Sequence, residues 1–432
     1  MTARSSEAPP SGRSALLSVG AGLAVFGLAT YGFLAFAGRG MPAEDFAPLS
    51  VMWTLLNAVG IGLFVPFEQE LARRTAVARA TRTTNLPAVR RTLIAGGAVI
   101  GALAVMAGLL GTTLAERLFA GRTALVGYLV AALVGMAVSY VVRGLLSGNG
   151  RFGHYGAQLA VDGVLRVVGA AVLVSVGVAG PEPYAAVLVV SPVAAVLVTT
   201  PRFRRLVVHG SRPELLGGAM ALTTLVAASV VSQALANAGP VIVQLLAAPD
   251  EATAAGLFTA ALVVARIPLF AFAAVQSLLL PGLAGFVGSR DPAGLRARIG
   301  VVAAWTGALG ALGTLVIWLL GPWLVPLLFG EDFAVGRGVI TAIAASGALF
   351  MLAQVAAQLL YALGHEWEAV AGWASGLVVL VAACAWHASI DVRAAGALVA
   401  GAGAALVVLA YFAVARLRRW SREIVGERVG AT

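Results

Sequence analysis

The sequence is dominated by apolar runs of about twenty residues or more, separated by short polar segments. A helix needs about 20 consecutive apolar residues to cross the hydrocarbon core of a bilayer. Hydrophobic residues make up 60% of the 432 residues and charged residues only 11%, whereas an ordinary soluble domain carries about 25% charged residues. A soluble fold of this composition could not cover its surface, so the sequence predicts an all-α, polytopic membrane protein.

The spacing of the apolar runs predicts twelve transmembrane helices. Their bounds are about 15–37, 47–67, 93–115, 124–146, 156–179, 184–200, 215–246, 253–287, 299–328, 335–362, 367–388 and 393–415.

Arginine is distributed unevenly among the segments that connect these spans. The chain has 29 arginines and no lysine; 22 of them lie on one side of the predicted membrane and five on the other. We call these sides the arginine-rich face, which includes both termini, and the arginine-poor face. Because cytoplasmic segments carry the excess of basic residues, we predict a multi-pass protein of the bacterial cytoplasmic membrane with both termini in the cytoplasm. The asymmetry also accounts for the net charge of +10 without nucleic acid, and it predicts contacts between the arginine-rich face and anionic membrane lipids.

The connecting segments are too short to hold a soluble domain. The longest internal one is predicted at about 68–92, and the sequence has no phosphate-binding loop, no zinc-protease motif and no dinucleotide-binding turn. The single cysteine, Cys384, excludes a disulfide framework and a cysteine-based metal site. We therefore predict a protein that is not an enzyme and needs no cofactor.

The two halves of the chain show related features at an offset of six spans. Pro66 in span 2 and Pro268 in span 8 each stand beside an ionisable residue. Segments with Leu-Phe and a nearby glycine follow spans 3 and 9, and Leu-Leu-rich segments lie near the ends of spans 4 and 10. An even offset relates the halves by an axis along the membrane normal. The predicted organisation is an N-terminal segment (1–14), two six-helix bundles (15–206 and 207–415) and an arginine-rich tail (416–432).

Three segments carry a resemblance to a known group of transporters. They are 255–283, which includes Arg266-Ile267-Pro268; Leu327-Leu328-Phe329-Gly330 followed by acids; and Arg143-Gly144-Leu145-Leu146 with Gly150-Arg151-Phe152. They resemble the multidrug/oligosaccharidyl-lipid/polysaccharide exporter superfamily, in particular polysaccharide flippases similar to O-antigen lipid flippases. The resemblance implies two pseudo-symmetric six-helix bundles around a central cavity, alternating access, and movement of lipid-linked glycans between leaflets. Family members often carry an acid in span 7, where this chain has Asn237-Ala238-Gly239-Pro240, which puts simple carboxylate-based cation coupling in doubt.

Arg266 is the most distinctive candidate for a substrate-binding residue, because a charge inside a membrane needs a partner or a function. In the functional interpretation its guanidinium faces the cavity and attracts a pyrophosphate. In the structural interpretation it bonds to carbonyls that are freed by Pro268. Asn237, next to Pro240, is a candidate for lining a broken helix.

Two further charged groups admit both interpretations. Asp162 and Arg166 lie four residues apart on one face of span 5, which favours a self-neutralising pair over a cavity lining or gate. Glu68 follows Pro66, and both are gating candidates together with Pro268. The default for Glu68 and its neighbour Glu70 is a set of salt bridges with the arginines one turn later.

Intramembrane amides form the remaining substrate-binding candidates, since they either bond between helices or suit sugar hydroxyls. They are Asn57, Gln233, Asn237, Gln276, Gln354 and Gln358.

Together these features predict a flippase that moves a lipid-linked oligosaccharide or polysaccharide precursor for cell-surface polysaccharide synthesis. The predicted partners are that substrate, membrane lipids and glycan-assembly proteins. Two alternatives stay open at this point: a multidrug or small-molecule antiporter of the same fold, and a non-transporting scaffold in a glycan-assembly complex.

Overall fold

The computed structural model describes residues 12–200, 206–211, 219–248, 251, 253–269, 272, 283, 286–287 and 289–430. These residues form helices joined by short connections and contain no β-strand; one isolated bridge joins Thr83 to Ser211. The helices are α1 (Gly12–Gly40), α2 (Ala43–Thr81), α3 (Leu86–Leu118), α4 (Thr123–Gly148), α5 (Phe152–Ser175), α6 (Pro181–Thr199), α7 (Ala219–Leu246), α8 (Ala254–Ala265), α9 (Pro292–Phe329), α10 (Arg337–Ala362), α11 (Glu366–Ala383) and α12 (Ile390–Gly430).

The predicted polytopic, all-α architecture is confirmed. In the part of the chain that the structure describes, 11 helices are long and apolar enough to cross a membrane, and each matches one predicted span. The remaining predicted span is 253–287. Its first part forms α8, which has only 12 residues. Most of the rest of that span lies outside the described residues.

The longest helices extend beyond the predicted spans. Helix α2 has 39 residues, a length of about 58 Å at 1.5 Å per residue, so it projects well past a hydrocarbon core of about 30 Å. The predicted loop at 68–92 is therefore wrong, because α2 continues to Thr81 and α3 begins at Leu86. Salt bridges from Arg73 and Arg74 to Glu70, at 2.9 and 2.5 Å, support this extension.

We refer to α1–α6 as the first half and to α7–α12 as the second half. In the first half α1 packs against α5, α2 against α4, and α6 against both α4 and α5. In the second half α10 and α11 pack against α12, α9 against α10, and α7 against α11 and α12. The halves meet chiefly where α2 packs against α7 and α8. The division of the chain into two bundles at residues 206 and 207 stays a prediction.

Glycine allows the closest of these contacts, as is usual where lipid rather than water surrounds the helices. A Cβ added to Gly22 of α1 would lie 2.4 Å from the carbonyl oxygen of Gly156 in α5. A Cβ added to Gly62 of α2 would lie 3.0 Å from the Cα of Val230 in α7. In contrast, α3 has no buried residue in its most apolar window, and its face is available to lipid.

Candidate functional site

Arg266 lies at the point where α8 ends. Its backbone N–H still donates to the carbonyl of Leu262 at 3.1 Å, but Pro268 has no N–H with which to continue the hydrogen-bond ladder to Val264. The half-buried Arg266 side chain crosses to α7. There Nη1 donates to Asn237 Oδ1 at 3.0 Å and Nη2 donates to the carbonyl oxygen of Ala236.

The acceptor on α7 owes its availability to Pro240. In a regular helix the carbonyl of residue 236 accepts a hydrogen bond from the N–H of residue 240, and proline has none. Arg266 supplies the missing donor from the neighbouring helix. Arg266 therefore bonds to a carbonyl that is freed by Pro240, and not to one freed by Pro268 as the structural interpretation predicted. The predicted broken helix at Asn237 is also wrong, since α7 is continuous from Ala219 to Leu246.

Asn237 and Gln233 connect Arg266 to the next turn of α7. Asn237 Nδ2 donates to the carbonyl oxygen of Gln233 at 2.9 Å and to its side-chain Oε1 at 3.1 Å. Asn237 is buried, so its oxygen is committed to the guanidinium and its nitrogen to Gln233. The structure therefore brings three of the predicted site residues together on two helices.

The surroundings of Arg266 combine a cavity with two aromatic residues of the first half. A cavity of about 30 Å³ borders Arg266 and is lined by residues of α7, α10 and α12, including Ser346 and Phe350, and by Leu269 beyond the end of α8. Tyr31 of α1 is within electrostatic reach of Arg266, and its ring lies 6.3 Å from that of Trp53 in α2. Tyr31 is not among the predicted site residues, although a tyrosine within the first apolar run was a signal for it.

Trp53 and Thr54 of α2 are buried polar groups in the same region. Trp53 Nε1 and Thr54 Oγ1 have no hydrogen-bond partner among the described residues, and the two residues are 3% and 0% exposed. Trp53 thus lies beside Tyr31 in the protein interior.

Among the described residues no carboxylate lies within ion-pair distance of Arg266. By contrast, Asp162 inside span 5 and Glu68, one residue past span 2, each lie beside an arginine. Arg166 Nε and Nη2 donate to Asp162 at 2.9 and 3.1 Å, and Nε also lies 3.2 Å from Ser191 Oγ on α6. The predicted self-neutralising pair is present, and it is buried.

Glu68 has partners that the sequence did not predict. It lies 3.5 Å from Arg143 Nε of α4 and accepts a hydrogen bond of 2.8 Å from the hydroxyl of Tyr155 on α5. The guanidinium of Arg143 also stacks at 4.0 Å over the ring of Tyr140. The predicted bridges from Glu68 to the arginines one turn later are therefore wrong, while those from Glu70 are present. Pro66 lies within the unbroken α2.

The other predicted amides are not assembled around Arg266 by any hydrogen bond within the described part of the chain. Asn57 donates to the carbonyl of Trp53 at 2.8 Å. Gln354 and Gln358 lie on α10, and Oε1 of Gln358 is buried without a partner among the described residues. Gln276 lies outside the described residues. Within the described residues there is also no cluster of three or more histidine, cysteine or acidic side chains that could hold a metal.

A separate ion cluster joins helix ends of the first half at the arginine-poor face. Arg122, before α4, donates to Glu182 at 3.0 and 3.2 Å and pairs with Asp45 at the start of α2. Partial burial opposes the charge of Arg122, but the two carboxylates outweigh it and raise its pKa above the ordinary value. Arg122 therefore stays protonated and ties three helix termini together.

Comparison with solved structures relates this architecture to known transporters. A multidrug resistance MATE family transporter of the MOP superfamily, in its outward-facing conformation, superposes with a TM-score of 0.66 at 15% identity, over 94% of this chain and 95% of that one. A mutant of the Vibrio cholerae MATE transporter VcmN gives 0.65 at 16% identity, over 95% and 96%. The chain has the fold of the MATE transporters. At this identity the likeness shows the fold alone, and it does not distinguish the polysaccharide-flippase branch.

Sequence comparison adds relatives but no assigned activity. Two uncharacterized proteins of Mycobacterium tuberculosis are similar over most of their length. Rv1510 is 29% identical over 387 residues (85% of this chain and 84% of that protein), and Rv3630 is 28% identical over 416 residues (91% of both). No family model matches the chain. The MATE fold is therefore the feature from which function can be argued.

Proposed function

We propose that this protein is a membrane transporter that works by alternating access and moves a lipid-linked oligosaccharide or polysaccharide precursor across the cytoplasmic membrane. The fold supports the transporter part of the proposal. The observation that carries the choice of cargo is Arg266, a guanidinium in the predicted transmembrane region. It bonds to α7, lies within electrostatic reach of Tyr31 in α1 and has no carboxylate partner among the described residues.

The present partners of Arg266 can be exchanged for a phosphate. The guanidinium bonds to a neutral amide oxygen and a backbone carbonyl, both weaker acceptors than a phosphate oxygen, with which arginine forms paired, charge-assisted hydrogen bonds. A lipid phosphate would thus be attracted to Arg266 while its apolar tail stays in the bilayer. The amides of Asn237 and Gln233 lie next to this position and are suited to sugar hydroxyls.

Export of a drug or another small molecule is the second candidate, and it is favoured by the multidrug resistance transporter among the structures of the same fold. A proton- or cation-coupled antiporter is expected to need a carboxylate that can change its charge state. Asp162 and Glu368, the carboxylates described inside the predicted spans, are both paired with arginines, and so is Glu68, one residue past span 2. This pairing argues for the glycan precursor.

The test is deletion of the gene followed by complementation, with cell-surface glycan and drug sensitivity as parallel measurements. Loss of surface glycan, with lipid-linked precursor retained in the inner leaflet, is the expected result. Increased drug sensitivity with normal glycan would favour the second candidate. Loss of glycan without retention of the precursor would indicate the scaffold instead.

The role of Arg266 needs a variant that separates cargo binding from folding. Arg266→Met removes the cation and also leaves the Ala236 carbonyl without a donor, whereas Pro240→Ala gives that carbonyl a donor within α7. We expect Arg266→Met to abolish complementation with or without Pro240→Ala. Recovery of surface glycan in the Pro240→Ala, Arg266→Met double mutant would show that Arg266 is structural only. Arg117→Ala, which removes an exposed arginine, is the matched control and is expected to complement.

The orientation is part of the proposal. We infer from the arginine distribution that both termini are cytoplasmic. Single cysteines placed on exposed positions of each face, in a Cys384→Ser background, would test it by labelling of intact cells. Labelling of the arginine-rich face from outside would reverse the orientation.

A further inference from the structure

The end of α9 carries the Leu327-Leu328-Phe329-Gly330 motif, to which the site around Arg266 assigns no role. The helix ends at Phe329, and Gly330 turns the chain away with φ of 113°. The last carbonyls of a helix have no partner within it and carry its partial negative charge. A cation from elsewhere in the protein can therefore bind at this end.

Arg39, at the end of α1, provides that cation from the other half of the protein. Its Nε donates to the carbonyl oxygen of Leu328 at 3.0 Å, and its Nη2 donates to that of Leu327. The preceding residue, Gly38, lies directly against the neighbouring ring, because an added Cβ would be 2.7 Å from Cδ1 of Phe329. The contact thus has a polar part and a tightly packed apolar part.

An aromatic cluster seals the interface beside Arg39. The ring of Phe46, at the start of α2, lies 6.0 Å from Phe329 and 5.4 Å from Phe333. All three rings are at most 2% exposed. Next to them, Gly256 of α8 packs on α2, with its ideal Cβ position 3.3 Å from the backbone nitrogen of Ala47. Two helices of each half therefore meet at the arginine-poor face.

We propose that Arg39 and the end of α9 form a reversible latch that closes the arginine-poor face between the two halves. The inference rests on the alternating access proposed above. Arg39 is exposed, and among the described residues it bonds only to backbone carbonyls. Water can therefore replace both bonds when the halves separate, and no buried charge is left unpaired. A buried ion pair in this position would make opening costly.

The latch can be tested by the reactivity of a cysteine placed beneath it. In a Cys384→Ser background, Ala47→Cys introduces a small thiol at a position that is 2% exposed, while Ala334→Cys marks an exposed position on the same face. Purified protein in lipid nanodiscs is treated with a charged maleimide, which reaches both faces and needs no cargo.

We expect the cysteine at 334 to react rapidly and the cysteine at 47 slowly. Arg39→Ala should accelerate the reaction at 47 about tenfold, because it removes two charge-assisted hydrogen bonds in a partly hydrated site. Gly38→Val should also accelerate the reaction at 47, because the added side chain would collide with the ring of Phe329. The charge-matched control Arg117→Ala should leave the rate unchanged. An unchanged rate at 47 in both variants, or equal rates at 47 and 334 in the parent, would overturn the latch.

This outcome is independent of the proposed cargo. Acceleration by both variants, together with normal surface glycan after gene deletion, would uphold the latch and reject the glycan precursor. Loss of surface glycan with unchanged reactivity at 47 would uphold the glycan precursor and reject the latch.

Discussion

Arg266 and Pro240 are expected to be energetically coupled although they lie on different helices. Arg266→Met removes the donor from two acceptors, the carbonyl of Ala236 and Oδ1 of Asn237. An acceptor left unsatisfied in a protein interior costs about 1–3 kcal/mol, so the two together cost roughly 2–6 kcal/mol, offset in part by relief from burying the charge. Neither the relief from burying the charge nor the cost of the hydrogen bond lost at Asn237 depends on residue 240.

The carbonyl of Ala236 does depend on residue 240. After Pro240→Ala the N–H of residue 240 satisfies this carbonyl within α7, and only Asn237 still loses a donor in the Arg266→Met variant. The cost of Arg266→Met should therefore fall by about 1–3 kcal/mol in the Pro240→Ala background. Effects common to both backgrounds cancel in such a double-mutant cycle.

The cycle can be measured by equilibrium unfolding with SDS in mixed micelles. Pro192→Ala, in α6 of the first half, is the matched control, and its effect should add to that of Arg266→Met within about 0.5 kcal/mol. Equal costs of Arg266→Met with Pro240 and with Ala at 240 would refute the reasoning. The Arg266 guanidinium would then be held by contacts other than the Ala236 carbonyl that Pro240 frees.

Three further predictions concern contacts elsewhere in the molecule. Asp162→Asn and Arg166→Met should each lower the unfolding free energy by about 3–5 kcal/mol, because each single change leaves a buried charge without a partner. The double mutant should lose less than the sum of the two single losses. Additive losses in SDS unfolding would contradict this. Gly22→Leu should destabilise the protein by more than about 2 kcal/mol, since its Cβ would lie 2.4 Å from a backbone oxygen of α5. Gly101→Leu, with nothing within 4 Å of its Cβ position, should change stability by less than about 0.5 kcal/mol. Comparable losses for both would speak against the packing argument. Arg122→Ala should cost about 1 kcal/mol at low salt and less at high salt, so a loss that is independent of salt would indicate that the cluster does not act through charge.

The number and order of the helices could be predicted because each one is specified by its own residues. An apolar run of sufficient length forms a helix in a membrane, since all of its backbone groups must be satisfied within the segment. Eleven predicted spans match helices for this reason. The helix ends were less predictable, as with α2, which continues to Thr81 through charged residues that form helices in water as readily as loops.

Local pairs were predictable for a similar reason. Residues three or four apart on a helix are neighbours whatever the rest of the fold does, so the pairs Asp162–Arg166 and Glu70–Arg74 could be predicted. Glu68 lies only two residues from Glu70, but it points to Arg143 on another helix. No spacing in the sequence reveals which of two neighbouring carboxylates turns inward.

The sequence by itself determined that this chain is an all-α membrane protein with many spans and an asymmetric charge distribution, because these properties follow from the composition of each segment. The tertiary structure alone decided what Arg266 bonds to, and that Arg39 meets the end of α9. These partners lie 30 and 288 residues away in the chain, and only the rotation and relative height of packed helices bring them together. In a membrane the apolar pattern fixes neither, since lipid and protein interior are equally apolar and only close packing and polar contacts distinguish one helix face from another.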